Sequence, residues 1–222
     1  MIAIAIDGPA GAGKSTIAKT VSKQLSYIYV DTGALYRSIA LSILNSNVDI
    51  KDISAVKSLL ENTKVEIKFV NDQQRVFLNG EDVSDKIRTT QVSMMASASS
   101  AIPEVRAFLL ELQRSIAREN NVIMDGRDIG TVVLPKAQVK IFLTASAECR
   151  AKRRYNDYIS VGNTSESYEK ILADIKERDY NDSNRAIAPL KPAEDSIVID
   201  TSNDTLEVSV QRIIDTVNKV LS

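Results

Sequence analysis

The run Gly8, Pro9, Ala10, Gly11, Ala12, Gly13, Lys14, Ser15 and Thr16 has the spacing G-x4-G-K-[ST]. Its glycines let successive backbone N–H groups turn inward around oxyanions. Lys14 adds a mobile positive charge, Ser15 offers a hydroxyl to a divalent cation, and a helix starting there contributes its positive end. Every part suits a polyphosphate, so these nine residues are expected to bind a nucleoside triphosphate. A glycine-rich strand-to-helix turn with no ligand is the plainer alternative.

A second group of polar residues is Asp125-Gly126-Arg127-Asp128, directly after the apolar Val122-Ile123-Met124. A carboxylate at the end of a buried strand is where such a loop finds its Mg2+ partner, usually through water, and that role falls to Asp125 with Ser15. Arg127 can give a phosphate two parallel hydrogen bonds, and Asp128 can accept from an exocyclic amine, so the pair implies a second substrate. Arg37, in Asp31-Thr32-Gly33-Ala34-Leu35-Tyr36-Arg37, can face the same crevice. Arg37 and Arg106 also read as ordinary exposed helix residues.

Arg150, Lys152, Arg153 and Arg154 crowd one segment, and Arg178 and Arg185 follow on the next. Two arginine-bearing helices joined by a loop at Gly162-Asn163 read as a lid, about residues 148–186, closing on phosphates. The rival readings are a nucleic-acid patch and a basic solvated face, the latter fitting Lys152 best.

Positioning these groups requires strands. Apolar runs at Ile2 to Ile6, Tyr27 to Val30, Val122 to Met124, Val139 to Leu143 and Ile197 to Ile199 predict five. Between and after them the apolar spacing becomes three or four, as in Ile17, Val21, Leu25; Val105, Phe108, Leu109, Leu112, Ile116; and Leu206, Val210, Ile213, Val217, Val220. The fold expected is α/β: a five-stranded parallel sheet with helices on both faces, ligands lying beyond the carboxyl ends of its strands. Alternation at Val65, Ile67 and Phe69, then Arg75 to Leu78 before Asn79-Gly80, predicts a small antiparallel β insert at about 63–88. One domain spanning 1–222 is expected, its core at 1–62, 89–145 and 190–222.

Composition narrows the chemistry. The 222 residues are 44% hydrophobic and 26% charged, and 28 basic against 29 acidic side chains argue against a broad nucleic-acid-binding face. With no histidine, the usual general base and the Ser-His and Cys-His nucleophile systems are excluded. The single cysteine, Cys149, has no disulfide or zinc partner and reads as a packing residue in a reducing compartment. No run reaches the length of a membrane span, and residues 2–6 are too short for a signal-peptide core. A cytoplasmic protein with no membrane or nucleic-acid partner is expected, acting as a monomer.

The segments Asp7 to Thr16, Asp31 to Arg37, Asp125 to Val133, Arg178-Asp179 and Asn184 to Leu190 together resemble the bacterial cytidylate kinases, and the resemblance extends over nearly the whole chain. It implies a P-loop kinase fold, with the insert in the monophosphate-binding region and a helical lid. It implies transfer of the ATP γ-phosphoryl group to CMP or dCMP, with Mg2+ required and ATP as co-substrate. Ser97, Arg106 and Asp128 would read cytosine; Arg37, Arg127 and Arg185 would hold the acceptor phosphate; Arg178 and Asp182 would contact the sugar, with Thr32 also at CMP. Arg150 and Arg154 would join the ATP site, and Lys14, Arg127, Arg154, Arg178 and Arg185 would form the catalytic set. Thr32 stands where serine is common in that family and keeps the hydroxyl. The alternatives are another small-molecule P-loop kinase such as a UMP/CMP-type enzyme, a GTPase, for which Asn218-Lys219-Val220-Leu221 is a poor guanine reader, and a binding module without catalysis.

Overall fold

A computed structural model describes residues 1–70, 73–160, 162 and 166–222. In chain order the elements are β1 (Ala3–Asp7), α1 (Lys14–Leu25), β2 (Ile28–Asp31), α2 (Thr32–Asn45), α3 (Ile53–Glu61), β3 (Val65–Val70), β4 (Gln73–Leu78), β5 (Glu81–Asp82), α4 (Thr90–Ser99), α5 (Pro103–Glu119), β6 (Val122–Gly126), β7 (Val139–Thr144), α6 (Ala147–Ser160), α7 (Tyr168–Asn184), β8 (Ile197–Asp200) and α8 (Leu206–Leu221). They fall into two compact units: residues 1–29 with 120–222, and residues 30–119.

The expected parallel sheet is ordered β2-β6-β1-β7-β8, and the first unit holds β6, β1, β7, β8 and the first two residues of β2. β1 lies in register between β6 and β7, Ile6 opposite Asp125 and Ile141, so the carboxyl ends of these three strands share one edge. Ile4, Ala5 and Ile6 are all fully buried, which consecutive residues of a strand can be only when both faces of the sheet are covered. Ile17, Ala18 and Val21 of α1 and Val210, Ile213 and Val217 of α8 form one of those cores with Ile4, Ile6, Ile123 and Ile141. Of the predicted stripes, Ile17, Val21, Val210, Ile213 and Val217 are buried in this core, whereas Leu206 and Val220, at the two ends of the α8 stripe, are exposed. α6 and α7 pack through Ala151, Ile171 and Ile175, with Tyr155 edge-on to Tyr168.

The second unit is a helical layer with a small antiparallel sheet ordered β3-β4-β5. Val65, Val76 and Leu78 of that sheet share a core with Leu35 and Ile39 of α2 and Val105 and Leu109 of α5. Asn79-Gly80, expected to mark a tight turn, has both φ angles positive (50° and 86°) and joins β4 to a short strand β5 that has almost no sequence signature of its own. The β3–β4 connection at residues 71–72 lies outside the described residues.

Candidate active site

Gly8 through Thr16 link β1 to α1. Gly8 has φ 151°, and a Cβ there would lie 1.9 Å from the backbone oxygen of Leu143, so only glycine lets the loop pass β7. Gly13, at φ 86°, starts α1 with a left-handed residue and frees the loop N–H groups to turn inward. Lys14 is buried, and its Nζ donates to the carbonyl oxygens of Gly8 and Pro9 at 2.7 Å each. Burial and the nearby Arg127 charge push its pKa well below the usual ammonium range, against the pull of Asp125 and Asp7. A cation held under that stress is a receptor for an anion.

At the carboxyl end of β6, Asp125 is buried and accepts from Ser15 Oγ at 3.0 Å and Tyr29 Oη at 2.8 Å. The two residues expected to serve Mg2+ therefore touch, although 110 positions separate them. Asp7, at the end of β1, accepts from the N–H groups of Ile129 (2.8 Å) and Gly130 (2.7 Å), which open a π-helical turn at Ile129–Val133. Burial raises its pKa to about 6, the two N–H bonds opposing the rise. Asp7 thus ties the strand before the glycine loop to the segment following Arg127 and Asp128.

Arg127, Arg150 and Arg185 are each paired with a carboxylate. Arg127 Nε meets Asp182 at 2.9 Å, and Arg185 lies 3.5 Å from the buried Asp128. Arg150 donates to the Ala10 carbonyl at 3.0 Å and forks onto Asp179 at 3.1 and 2.5 Å, joining the loop, α6 and α7 through one buried guanidinium. Arg178 is near enough to Lys14 to depress its pKa. Arg154 faces Tyr158, its Nε 3.1 Å from the hydroxyl. Arg153 turns elsewhere, to the Thr201 carbonyl, and Lys152 is exposed. Gly162 forms a turn at φ 73°, while Asn163, the other half of the predicted lid loop, lies outside the described residues.

In the second unit, Asp31 caps α2 by accepting from Ala34 N at 3.0 Å and pairs with Arg37 at 2.9 Å. Thr32 is buried beside it. Arg106 is buried, with its guanidinium 5.7 Å from the Tyr36 ring centre and Nη1 donating to Ser100 O, while Ser97 is half-buried on α4.

Residues 4–219 match the family model for cytidylate kinase. The chain is 52% identical over 220 residues to a cytidylate kinase of Caldicellulosiruptor saccharolyticus, covering 99% of this chain and 97% of that one. It is 50% identical over 218 residues to a cytidylate kinase of Geobacillus sp. (98% and 97% covered). The chain belongs to the cytidylate kinase family. A solved structure of an uncharacterized protein from Eubacterium ventriosum matches with a TM-score of 0.55 at 13% identity, over 98% of this chain and 99% of that one, a likeness of fold alone.

Within this cytidylate kinase family member, sequence reasoning gave no role of their own to Asp7, Tyr29 and Asp179, nor to Asp31. Asp7 carried a usable signal, since it ends a buried strand just as Asp125 does. Tyr29 and Asp179 are visible only through partners far along the chain, 96 and 29 positions away. Cys149, read as a packing residue, is half-buried, its Sγ 3.3 Å from the Ser202 carbonyl.

Proposed function

We propose that the chain transfers the γ-phosphoryl group of ATP directly to CMP and dCMP, giving ADP with CDP or dCDP. The observation that carries this reading is Lys14: a buried ammonium held by two loop carbonyls, with its charge destabilised, at the strand edge where Asp125, Arg127 and Arg178 bear on it. The ATP phosphates would occupy Gly8 to Thr16, with Arg150 and Arg154 completing that site from α6.

The acceptor needs no general base. A phosphate monoester loses its second proton near pH about 6, so its oxygen is already a nucleophile at neutral pH. The protein must instead hold two polyanions together and offset their repulsion, which suits a chain with cations and no histidine. Lys14, Arg127, Arg154, Arg178 and Arg185 are assigned that work. For CMP, the family resemblance assigns Arg37, Arg127 and Arg185 to the phosphate, Arg178 and Asp182 to the sugar, and Ser97, Arg106 and Asp128 to cytosine, with Thr32 also at CMP; the N4 amine of cytosine is a donor that a carboxylate such as Asp128 can accept from.

The donor chemistry fits Mg2+: a hydroxyl and a carboxylate, both hard oxygens, stand 3.0 Å apart at Ser15 and Asp125. Among the described residues no cluster of three or more acidic, cysteine or histidine side chains could cage a metal alone, so phosphate and water would complete the shell. When bound there, the ion would neutralise charge on the transferring phosphate. No helix among the described residues is long and apolar enough to cross a membrane, and we assign the chain to the cytoplasm as a monomer without nucleic-acid partners.

The test is a coupled ADP assay with CMP, dCMP, UMP, AMP and shikimate as acceptors. CMP and dCMP should give the highest kcat/KM. UMP, lacking the amine that Asp128 reads, should trail by about 10- to 100-fold. Preference for shikimate or AMP would overturn the assignment.

A further inference from the structure

The antiparallel insert makes one pair of polar contacts with Asp31, the residue that caps α2, that its fold does not require. Along β4, Val76 and Leu78 point inward to the core shared with α2, and the period of two puts Gln74 on that same face, opposite Phe69 of β3. At the position of Gln74 the partner is polar. Its Oε1 accepts from Asp31 N at 2.8 Å and its Nε2 donates to Asp31 O at 3.2 Å. Asp31 ends β2, which stands last in the sheet order, and the Gln74 carboxamide gives that residue the pair of bonds another strand would give.

Asp31 is also the side chain that holds Arg37. Its Oδ1 caps α2 and its Oδ2 meets Arg37 Nη2 at 2.9 Å. The pair lies close over Gly33, where an added Cβ would come within 3.0 Å of Arg37 Nη1 and 3.1 Å of Asp31 Oδ1. Among the described residues Arg37 Nε is buried without a hydrogen-bond partner, so one face of the guanidinium keeps a donor for an incoming oxyanion.

We propose that Gln74 is a positioning residue through which the insert sets the Asp31–Arg37 pair for the acceptor phosphate. This rests on the reading above that Arg37 binds that phosphate. The insert then acts on monophosphate affinity without touching the nucleotide.

Steady-state kinetics on Gln74→Met, Arg37→Ala and the double variant test it. Gln74→Met keeps the side-chain volume and deletes both hydrogen bonds. It should raise KM for CMP about tenfold and leave KM for ATP within about twofold. In the Arg37→Ala background it should add nothing. Should Gln74→Met fold poorly, Gln74→Glu serves: its carboxylate faces the Asp31 carbonyl, and KM for CMP should rise selectively there too. A tighter split refutes the brace alone: Arg37→Ala raises KM for CMP while the Gln74 variants do not, or their effect persists without Arg37, or ATP and CMP weaken together. If Arg37→Ala leaves KM for CMP unchanged, the phosphate reading itself fails and the brace falls with it.

Discussion

Replacing Asp7 with Asn should change how stability depends on pH, by an amount the structure sets. Burial holds the Asp7 carboxyl at a pKa of about 6 against an ordinary value of 3.8. A raised carboxylate pKa means the folded state grips the proton more tightly than the unfolded state. The group therefore adds stability as pH falls through 6, and that gain is complete below 3.8. From those two values, this proton alone makes the native state more stable at pH 5 than at pH 7.5 by roughly 1 kcal/mol, on the order of a tenfold change in the unfolding constant. The carboxamide of the Asp7→Asn variant would not titrate, and the remaining carboxylates titrate in both proteins and cancel. Urea unfolding followed by far-UV circular dichroism, with EDTA and no nucleotide, should show the stability of the wild type relative to Asp7→Asn increasing by about that amount between pH 7.5 and pH 5. A difference that stays flat to within about 0.3 kcal/mol, or that moves the other way, would refute the claim that Asp7 is buried with little compensating charge.

Lys14→Ala should lower kcat by about 10^3-fold or more in the coupled ADP assay while leaving the circular dichroism spectrum unchanged, because it removes the one ammonium at the glycine loop. Asp128→Asn should raise KM for CMP by about 10-fold or more, narrow the gap between CMP and UMP, and leave KM for ATP nearly unchanged; equal losses for both nucleotides would remove Asp128 from the base-reading role. Gly8→Ala should cost several kcal/mol and show as a sharply lower melting temperature, since the new methyl would collide with the Leu143 carbonyl and the β1–β7 pairing would have to open.

The sheet was legible because its strands are short, largely apolar and bounded by polar turns: Ile2 to Ile6, and Val139 to Leu143 interrupted only by Lys140, carry that signature, and a strand forms at each. The glycine loop was legible because its chemistry depends on spacing along the chain. The supports of the site were not, since they depend on contacts between distant positions. Nothing adjacent to Asp7 says that it will bind N–H groups 122 and 123 residues later, and Gln74 differs from any other strand glutamine only by meeting Asp31. The π-helical turn at Ile129–Val133 was equally hidden, because nothing in that apolar run marks a turn and the amides that open it are held by Asp7, far along the chain. The two helices expected to form a lid fell between these cases: the arginines were evident, but Asp179, named only within the Arg178-Asp179 segment, was given no role, and its pairing with Arg150 depends on the fold.

Lys14 rests on the carbonyls of Gly8 and Pro9, not on Asp7 or Asp125, although both acids lie close enough to bias its protonation. Neutral dipoles keep the side chain parked without quenching it. On the proposed function, an anion entering from solvent would be the first to hydrogen-bond that ammonium directly, and a small halide would lack the several oxygens needed to engage the loop amides at the same time. Selectivity for extended polyphosphates over ambient salt would in this way be set by what the resting lysine is kept from touching.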